Sequence, residues 1–426
     1  MKKMIICLCL SWIICPALAQ EELRIHHINV EDGDATMIGI YNTVSGKYTN
    51  SILIDGGNAN PNDLLLPYLK KVTGNAAPHF DYVVLTHYHQ DHYNGLLALK
   101  DGRITADSVI DAAGYPLGPV FPAQAGVQAP EDKPASLKIA QPWMDALTTA
   151  VSHGFVKAHA LNFMSFGTSA GTSIGHQLTI GTNGGLPVVL ECVAGWGNTE
   201  NGDGLTANPA PDKDNANDFS LGFVLTCGQF RYFIGGDMGG ETKGDYIDQE
   251  TPLTASLKSK FPVSWSYNHI SSAAGHICGF KANHHGSGHS NDMDFMKATT
   301  AAVTVTSAGR MPQWHLPNTS YLKRLDSIKP LSVWTSASGT LVNRGVYMTN
   351  LYDFPDFPAK TLSVSTFPAR TLTSFSYGNS TAGQKSGYMI SVKPEELAEK
   401  SAFQVYKVDN AGSRQVLLAN FLCHSK

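Results

Sequence analysis

Three histidines and an aspartate fall within six positions in His87-Tyr88-His89-Gln90-Asp91-His92. Neutral imidazoles and a carboxylate on one short loop are the donor set of zinc, and of manganese or iron where oxygen donors are more numerous. His87 and His89 are two apart and share one side of an extended segment. Asp91 and His92 follow after a turn and address a neighbouring point, so one loop can serve two adjacent metal ions. The bland alternative is a polar surface cluster with an accidental excess of histidine. It is disfavoured because the apolar run Tyr82-Val83-Val84-Leu85 delivers the cluster directly from a buried strand.

One loop cannot complete two metal sites, so distant ligands are required. Asp237 is the best carboxylate candidate: it follows the β-rich run Phe230 to Ile234 through Gly235-Gly236, where glycines let the backbone approach a site closely. His284 and His285 stand before Gly286-Ser287 at the end of another expected strand. One of the pair is expected to bind metal and the other to meet substrate. His285 is taken as the ligand and His284 as the catalytic contact, a choice that spacing leaves open. Asp55, before Gly56-Gly57, is expected to orient the histidine loop by hydrogen bonds. His315, in Trp314-His315-Leu316-Pro317, is a catalytic candidate balanced against an ordinary loop histidine, and Trp196, Trp265 and Trp314 are either pocket lining or core.

Paired metals lower the pKa of a shared water and clamp the oxygens of a displacement, so no serine or cysteine nucleophile is needed. No nucleophile elbow, phosphate-binding Walker loop or dinucleotide glycine motif competes with this chemistry.

The elements that must position these residues alternate between strand and helix signals. Strands are expected at Leu23 to Asn29, Ala35 to Ile40, Ser51 to Asp55 and Tyr82 to Leu85, with helices around Asp63 to Val72 and Ser136 to Gly154. A second β-rich half carries strands at Pro187 to Ala194, Ser220 to Thr226, Phe230 to Ile234 and Ala301 to Thr306, then a helix from Ser320 to Ile328. Tyr388 to Val392, Phe403 to Val408 and Val416 to Phe421 read as further strands. Two β-rich halves with interspersed helices predict a layered α/β fold. Residues 111–135, rich in Gly, Pro and Ala, predict an exposed flap or insertion.

The ordered set Asp55-Gly56-Gly57, the histidine loop, Gly236-Asp237 and His284-His285-Gly286-Ser287 resembles the metallo-β-lactamase-fold superfamily. Within it the pattern is most similar to the ComEC-type competence hydrolases, through Ile28-Asn29-Val30-Glu31-Asp32-Gly33-Asp34-Ala35, Asn217-Asp218-Phe219-Ser220 and the stretch from Lys281 to Ser287. Secreted phosphorylcholine esterases of that superfamily look similar too. The resemblance implies a four-layer αβ/βα sandwich with its metal site at one edge, here followed by a β-rich C-terminal extension. It implies His87, His89, Asp91, His92, Asp237 and a histidine of the 284–285 pair as ligands of one or two zinc ions, with manganese as the alternative. Asp91, His284 and His315 are the catalytic candidates. The chain departs from the superfamily where many members carry a separate histidine before the Gly-Asp turn. Asn217 and Asp218 stand there instead, and His153, His159 and His176 lack a ligand-like context.

The chain has 426 residues, 42% hydrophobic and 15% charged, with a net charge of −4. That composition excludes a disordered chain, and the acidic balance disfavours nucleic acid as a partner. Lys2 and Lys3, the apolar run from Met4 to Cys15 and Ala17-Leu18-Ala19 predict a signal peptide over residues 1–19 and a periplasmic or secreted protein. The expected organisation is a hydrolase domain over 20–330 and an extension over 331–426. Cys192, Cys227, Cys278 and Cys423 then remain, and spacing does not choose between disulfides and buried thiols. The expected activity is hydrolysis of a small-molecule or cell-envelope phosphoric ester or diester by metal-bound hydroxide. The alternatives are a lactam or lactone hydrolase, or a non-catalytic protein that retains metal and binds the cell envelope.

Overall fold

The computed structural model describes residues 21–58, 60, 62–111, 134–159, 177–195, 198–200, 205–207, 215–241, 246–262, 266–267, 270–271, 274–309, 315–327, 334–335, 341–342, 344–350, 372–377, 386–393, 402–409, 412 and 415–422. The expected signal peptide over residues 1–19, most of the expected insertion over 111–135, His176, Trp196, Trp265, Trp314 and Cys423 lie outside them.

Two sheets face each other. In the first, Glu21–His27, Thr36–Asn42 and Lys47–Ile54 run as an antiparallel meander, and His79–Leu85, Thr105–Asp111 and Val156–His159 continue it in parallel. On the other flank of Glu21–His27, the strands Ser386–Val392, Ala402–Asp409 and Gln415–Leu422 extend the sheet antiparallel. In the second, Leu186–Gly195, Gly222–Cys227 and Phe230–Gly235 are antiparallel, and Gly279–Lys281, Val303–Thr306, Arg344–Met348 and Leu372–Tyr377 follow in parallel. The strands after residue 331 therefore extend both sheets.

Strand alternation builds the layers, because successive side chains point to opposite faces. Ile52, Ile54 and Val84 point inward and pack with Leu190, Phe223, Tyr232, Ile234 and Val303 of the second sheet. Leu53, Val83 and Leu85 point outward, where Leu65, Leu69, Leu96, Trp143 and Leu147 cover them. These belong to the helices Leu65–Thr73 and Pro134–Ser152 and the 3-10 segment Asn94–Asp101. On the far side, Phe233, Phe280 and Val346 are covered by Leu253, Leu257, Phe295 and Leu322 from the helices Glu250–Lys260, Met293–Thr299 and Thr319–Ser327. The result is helix, sheet, sheet, helix.

The helices Glu250–Lys260 and Met293–Thr299 carry no clear sequence signal. The first buries Glu250, Thr254 and Ser256 beside Leu253 and Leu257, so its inner face mixes polar and apolar residues and shows no clean apolar stripe. No helix among the described residues is long and apolar enough to cross a membrane. Cys192 and Cys227 are buried thiols, and burial pushes the Cys227 thiol up to about 12. Cys278 is disulfide-bonded, to a partner outside the described residues.

Candidate metal centre

Parallel strands in both sheets end at the same place. Ile54 pairs with Val84 in register, so Asp55 and Thr86 leave the first sheet side by side. In the second, Ile234 pairs with Lys281 and Lys281 with Val305, which brings Gly236-Asp237, His284-His285 and Ser307 to one edge. Carboxyl ends of parallel strands are where open α/β sheets present their ligand-binding loops.

Asp55 holds the histidine loop. Its Oδ1 accepts the Thr86 backbone N–H at 2.8 Å, and its Oδ2 accepts the Thr86 hydroxyl at 2.8 Å and His92 Nδ1–H at 2.8 Å. That bond fixes the His92 tautomer and turns Nε2 inward. His87 is fully buried and His89 half-buried, with His87 Nε2 and His89 Nδ1 3.2 Å apart. Two nitrogens on a tetrahedral ion with ~2.0–2.1 Å bonds sit about 3.3 Å apart, so the pair is already spaced for one ion.

Asp237 stands between the imidazoles. Its N–H donates to Ser220 Oγ at 2.9 Å. Its Oδ1 is 3.3 Å from His92 Nε2, and its Oδ2 is 3.3 Å from His285 Nε2, 3.7 Å from His284 Nε2 and 3.8 Å from His87 Nε2. The approach depends on Gly236, where a Cβ would fall 2.8 Å from Thr86 Oγ1 and 2.9 Å from Ser220 Oγ. Burial alone would raise the Asp237 carboxyl, but the imidazoles of His285, His92 and His284 overcome it and hold the group well below the usual carboxylate range.

His284 and His285 both have left-handed backbone, with φ of 46° and 52°. Non-glycine residues persist there only when their surroundings hold them. Here Glu250 accepts Asn283 Nδ2–H at 2.8 Å and the N–H groups of Asn291 and Asp292 at 2.6 Å each, while Asn291 Oδ1 accepts the Asn283 N–H at 2.9 Å. His285 Nδ1–H donates to the Ser307 carbonyl at 3.0 Å, which leaves Nε2 for the site. His284 is the more exposed of the pair, and burial lowers its imidazole to about 4.

Two compact groups of donor atoms result, each with its atoms within 4.8 Å of one another: His87, His89 and Asp237, and Asp34, His92, Asp237 and His285. Asp237 belongs to both. Asp91 lies against the second group, its Oδ2 3.1 Å from His285 Nε2 and 3.8 Å from His92 Nε2. His315 is exposed, with φ of 49°, and joins neither group; the segment after it packs on the His284–His285 loop through Pro317 and Tyr321 against Gly286, and the Asn318 N–H donates to the Gly286 carbonyl at 2.8 Å. His153 is also exposed, beside Phe155.

Asp34 is the residue that motif spacing did not assign. It reaches the site because Gly33, with φ of 92°, passes so close to Asp91 that a Cβ would fall 1.7 Å from the Asp91 carbonyl oxygen. Its Oδ2 is paired with Lys281 Nζ, both side chains being buried, and its Oδ1 faces His285 Nδ1 at 3.5 Å. The available signal was a carboxylate flanked by glycine immediately before a strand.

The donor set fits a cation. His92 Nε2, His285 Nε2, Asp237 Oδ1 and Asp34 Oδ1 are buried without a hydrogen-bond partner, and each such atom costs roughly 1–3 kcal/mol unless something satisfies it. Charge points the same way. The carboxylates of Asp34, Asp55, Asp91 and Asp237 converge on a region where Lys281 is the fixed cation among the described residues. Burial lowers the His92 imidazole, but Asp237, Asp55 and Asp91 outweigh it and raise the group well above its ordinary value. The site calls for positive charge. His87, by contrast, is pushed well below its ordinary value by burial and stays in the neutral form that ligates.

Residues 44–184 match the model of the metallo-beta-lactamase superfamily. No curated protein gives a significant match to the chain. Among solved structures, the chain is similar to the metallo-beta-lactamase fold protein YhfI from Bacillus subtilis, with 13% identity, a TM-score of 0.35, and coverage of 72% of this chain and 93% of that one. It is also similar to Tm1679, described as a metal-dependent hydrolase of the beta-lactamase superfamily, with 11% identity, a TM-score of 0.34, and coverage of 71% and 91%. The similarity to the metallo-beta-lactamase superfamily is thus carried by residues 44–184.

Proposed function

We propose that this protein is an exported metal-dependent hydrolase of phosphoric esters or diesters, using zinc or, alternatively, manganese. The observation that carries this reading is the membership of Asp237 in both donor groups. A carboxylate shared in this way would serve two ions, which when bound would supply Lewis acidity to a phosphoryl oxygen and an activated water at neutral pH.

The residues divide the remaining work. His87, His89 and Asp237 would hold one ion, and His92, Asp237 and His285 would hold the other, with Asp34 and Asp91 as the carboxylates beside it. Asp55 and the Ser307 carbonyl keep His92 and His285 in the ligating tautomer. His284, half-buried with a neutral imidazole, is placed to meet substrate oxygens, and Asp91 to orient the attacking water or take up its proton. His315 is assigned a rim contact outside both groups, whose loss raises KM and leaves metal content intact. Export is supported by the charged-apolar-small leader and by the disulfide at Cys278, which suits an oxidising compartment.

The test is a screen of purified protein against model phosphodiester, phosphomonoester and lactam substrates, with and without chelator. Chelator-sensitive turnover of a phosphoester with no lactam turnover is the expected result. Lactam turnover alone would move the assignment to that reaction, and metal uptake without turnover of any substrate would make the protein a binding protein.

A further inference from the structure

We infer that Asn217 is a ligand of the His87/His89/Asp237 ion through its side-chain carbonyl oxygen, an inference that rests on the metal reading above. Asn217 is 4% exposed, and its Oδ1 is buried without a hydrogen-bond partner. The carboxamide faces the His89 side chain and interacts with it, while its Oδ1 lacks a partner that meets hydrogen-bond geometry. A buried amide oxygen left in this state costs free energy unless a donor or a cation completes it.

The backbone around Asn217 is fixed from several sides. Its N–H donates to Asn215 Oδ1 at 3.1 Å, and its carbonyl accepts the Ser220 N–H at 3.0 Å and Gln249 Nε2–H at 3.3 Å. Three and four residues on, the same segment is tied to both strands that supply this ion. Ser220 Oγ accepts the Asp237 N–H at 2.9 Å, and the Leu221 N–H donates to the Thr86 carbonyl at 3.0 Å. None of these bonds uses the Asn217 carboxamide oxygen. The segment is therefore pinned while its one orphaned polar atom is left beside His89.

An amide oxygen is a neutral, harder and weaker donor than an imidazole. With Asn217 the ion has two nitrogens and two oxygens from the protein, a set that favours manganese more than a third histidine would. This ion is also the more weakly held of the two, since its partner site adds Asp34 and a second tautomer-locked histidine.

The test measures metal binding directly, without turnover. Zn²⁺ and Mn²⁺ are titrated calorimetrically into metal-free wild type, N217A, N217D and N217H, and Mn²⁺ occupancy is followed by electron paramagnetic resonance. Unfolding of each metal-free protein is recorded alongside. Asn217→Ala is expected to weaken one ion by about tenfold or more and leave the other, and the metal-free melting temperature, in place. Asn217→Asp keeps the oxygen and should restore or tighten that ion; Asn217→His should shift its preference toward zinc. If every ion bound by wild type is held by N217A with unchanged affinity, the inference is overturned while the metal reading stands. It is equally overturned if N217A weakens all ions together with a fall in the metal-free melting temperature, because Asn217 is then only structural. A wild type that takes up no ion overturns both.

Discussion

Asp55 and His92 meet at 2.8 Å between Oδ2 and Nδ1, and Asp55 reaches this position from a left-handed backbone with φ of 58°. A single carboxylate thereby spans three groups, the Thr86 N–H, the Thr86 hydroxyl and the His92 imidazole, and sets the direction of the loop that carries His87 and His89.

Replacing this carboxylate should loosen the metal without removing a ligand. Asp55→Ala is expected to cost roughly 10–100-fold in affinity for the ion at His92, the usual effect of losing a group that orients a ligating histidine. Titration of the variant with Zn²⁺ checks this. Unchanged affinity would mean that packing alone orients His92.

The buried pair of Lys281 and Asp34 gives a different signature. Lys281→Met leaves a buried carboxylate without its cation, a change worth about 3–5 kcal/mol. If Asp34 also faces the second ion, the variant should bind Zn²⁺ more tightly than wild type, and saturating Zn²⁺ should shrink the penalty by about 1.4 kcal/mol for each tenfold gain in affinity. Denaturant unfolding of wild type and variant, with chelator and with zinc, compares the two. A penalty of the same size in both conditions would turn Asp34 away from the metal.

Glu250 links the site to pH. Burial and the neighbouring Asp292 carboxylate push its carboxyl from 4.5 up to about 8. The folded protein therefore binds this proton more tightly than the unfolded chain. The stabilisation it brings is fully present below pH 4.5, declines as pH rises through the interval and is lost above about 8. Glu250→Gln should remove this dependence. Unfolding free energies of wild type and variant, measured in chelator, should shift in favour of the variant as pH is raised across that window. A constant difference between them would show that Glu250 is already ionised throughout.

Much of this site was legible because its signals are local. The spacing of His87, His89, Asp91 and His92, the apolar strand before them and the Asp-Gly-Gly after the preceding strand are all short-range patterns, and apolar runs mark most of the sheet strands. Asp34 was not legible as a site residue, since its role depends on Gly33 passing over Asp91, a contact between segments more than fifty residues apart. The clamp of Glu250 on Asn283 was hidden for a related reason: its helix buries a carboxylate where an apolar residue is expected. The pairing of Ser386–Val392 with Glu21–His27 is a matter of topology, because both strands read as strands and neither names its partner. His315, read from sequence as a substrate-contact candidate and not as a ligand, is left outside both donor groups by the fold.

Metal stoichiometry tests the proposal that Asp237 is shared by two ions. Metal-free wild type and Asp237→Ala, each reloaded with Zn²⁺ and freed of excess by gel filtration, would be compared by elemental analysis, with circular dichroism to confirm folding. Two ions per wild-type chain and a loss from both positions in the folded variant are the predicted result. A folded Asp237→Ala protein that retains wild-type metal content would contradict the account.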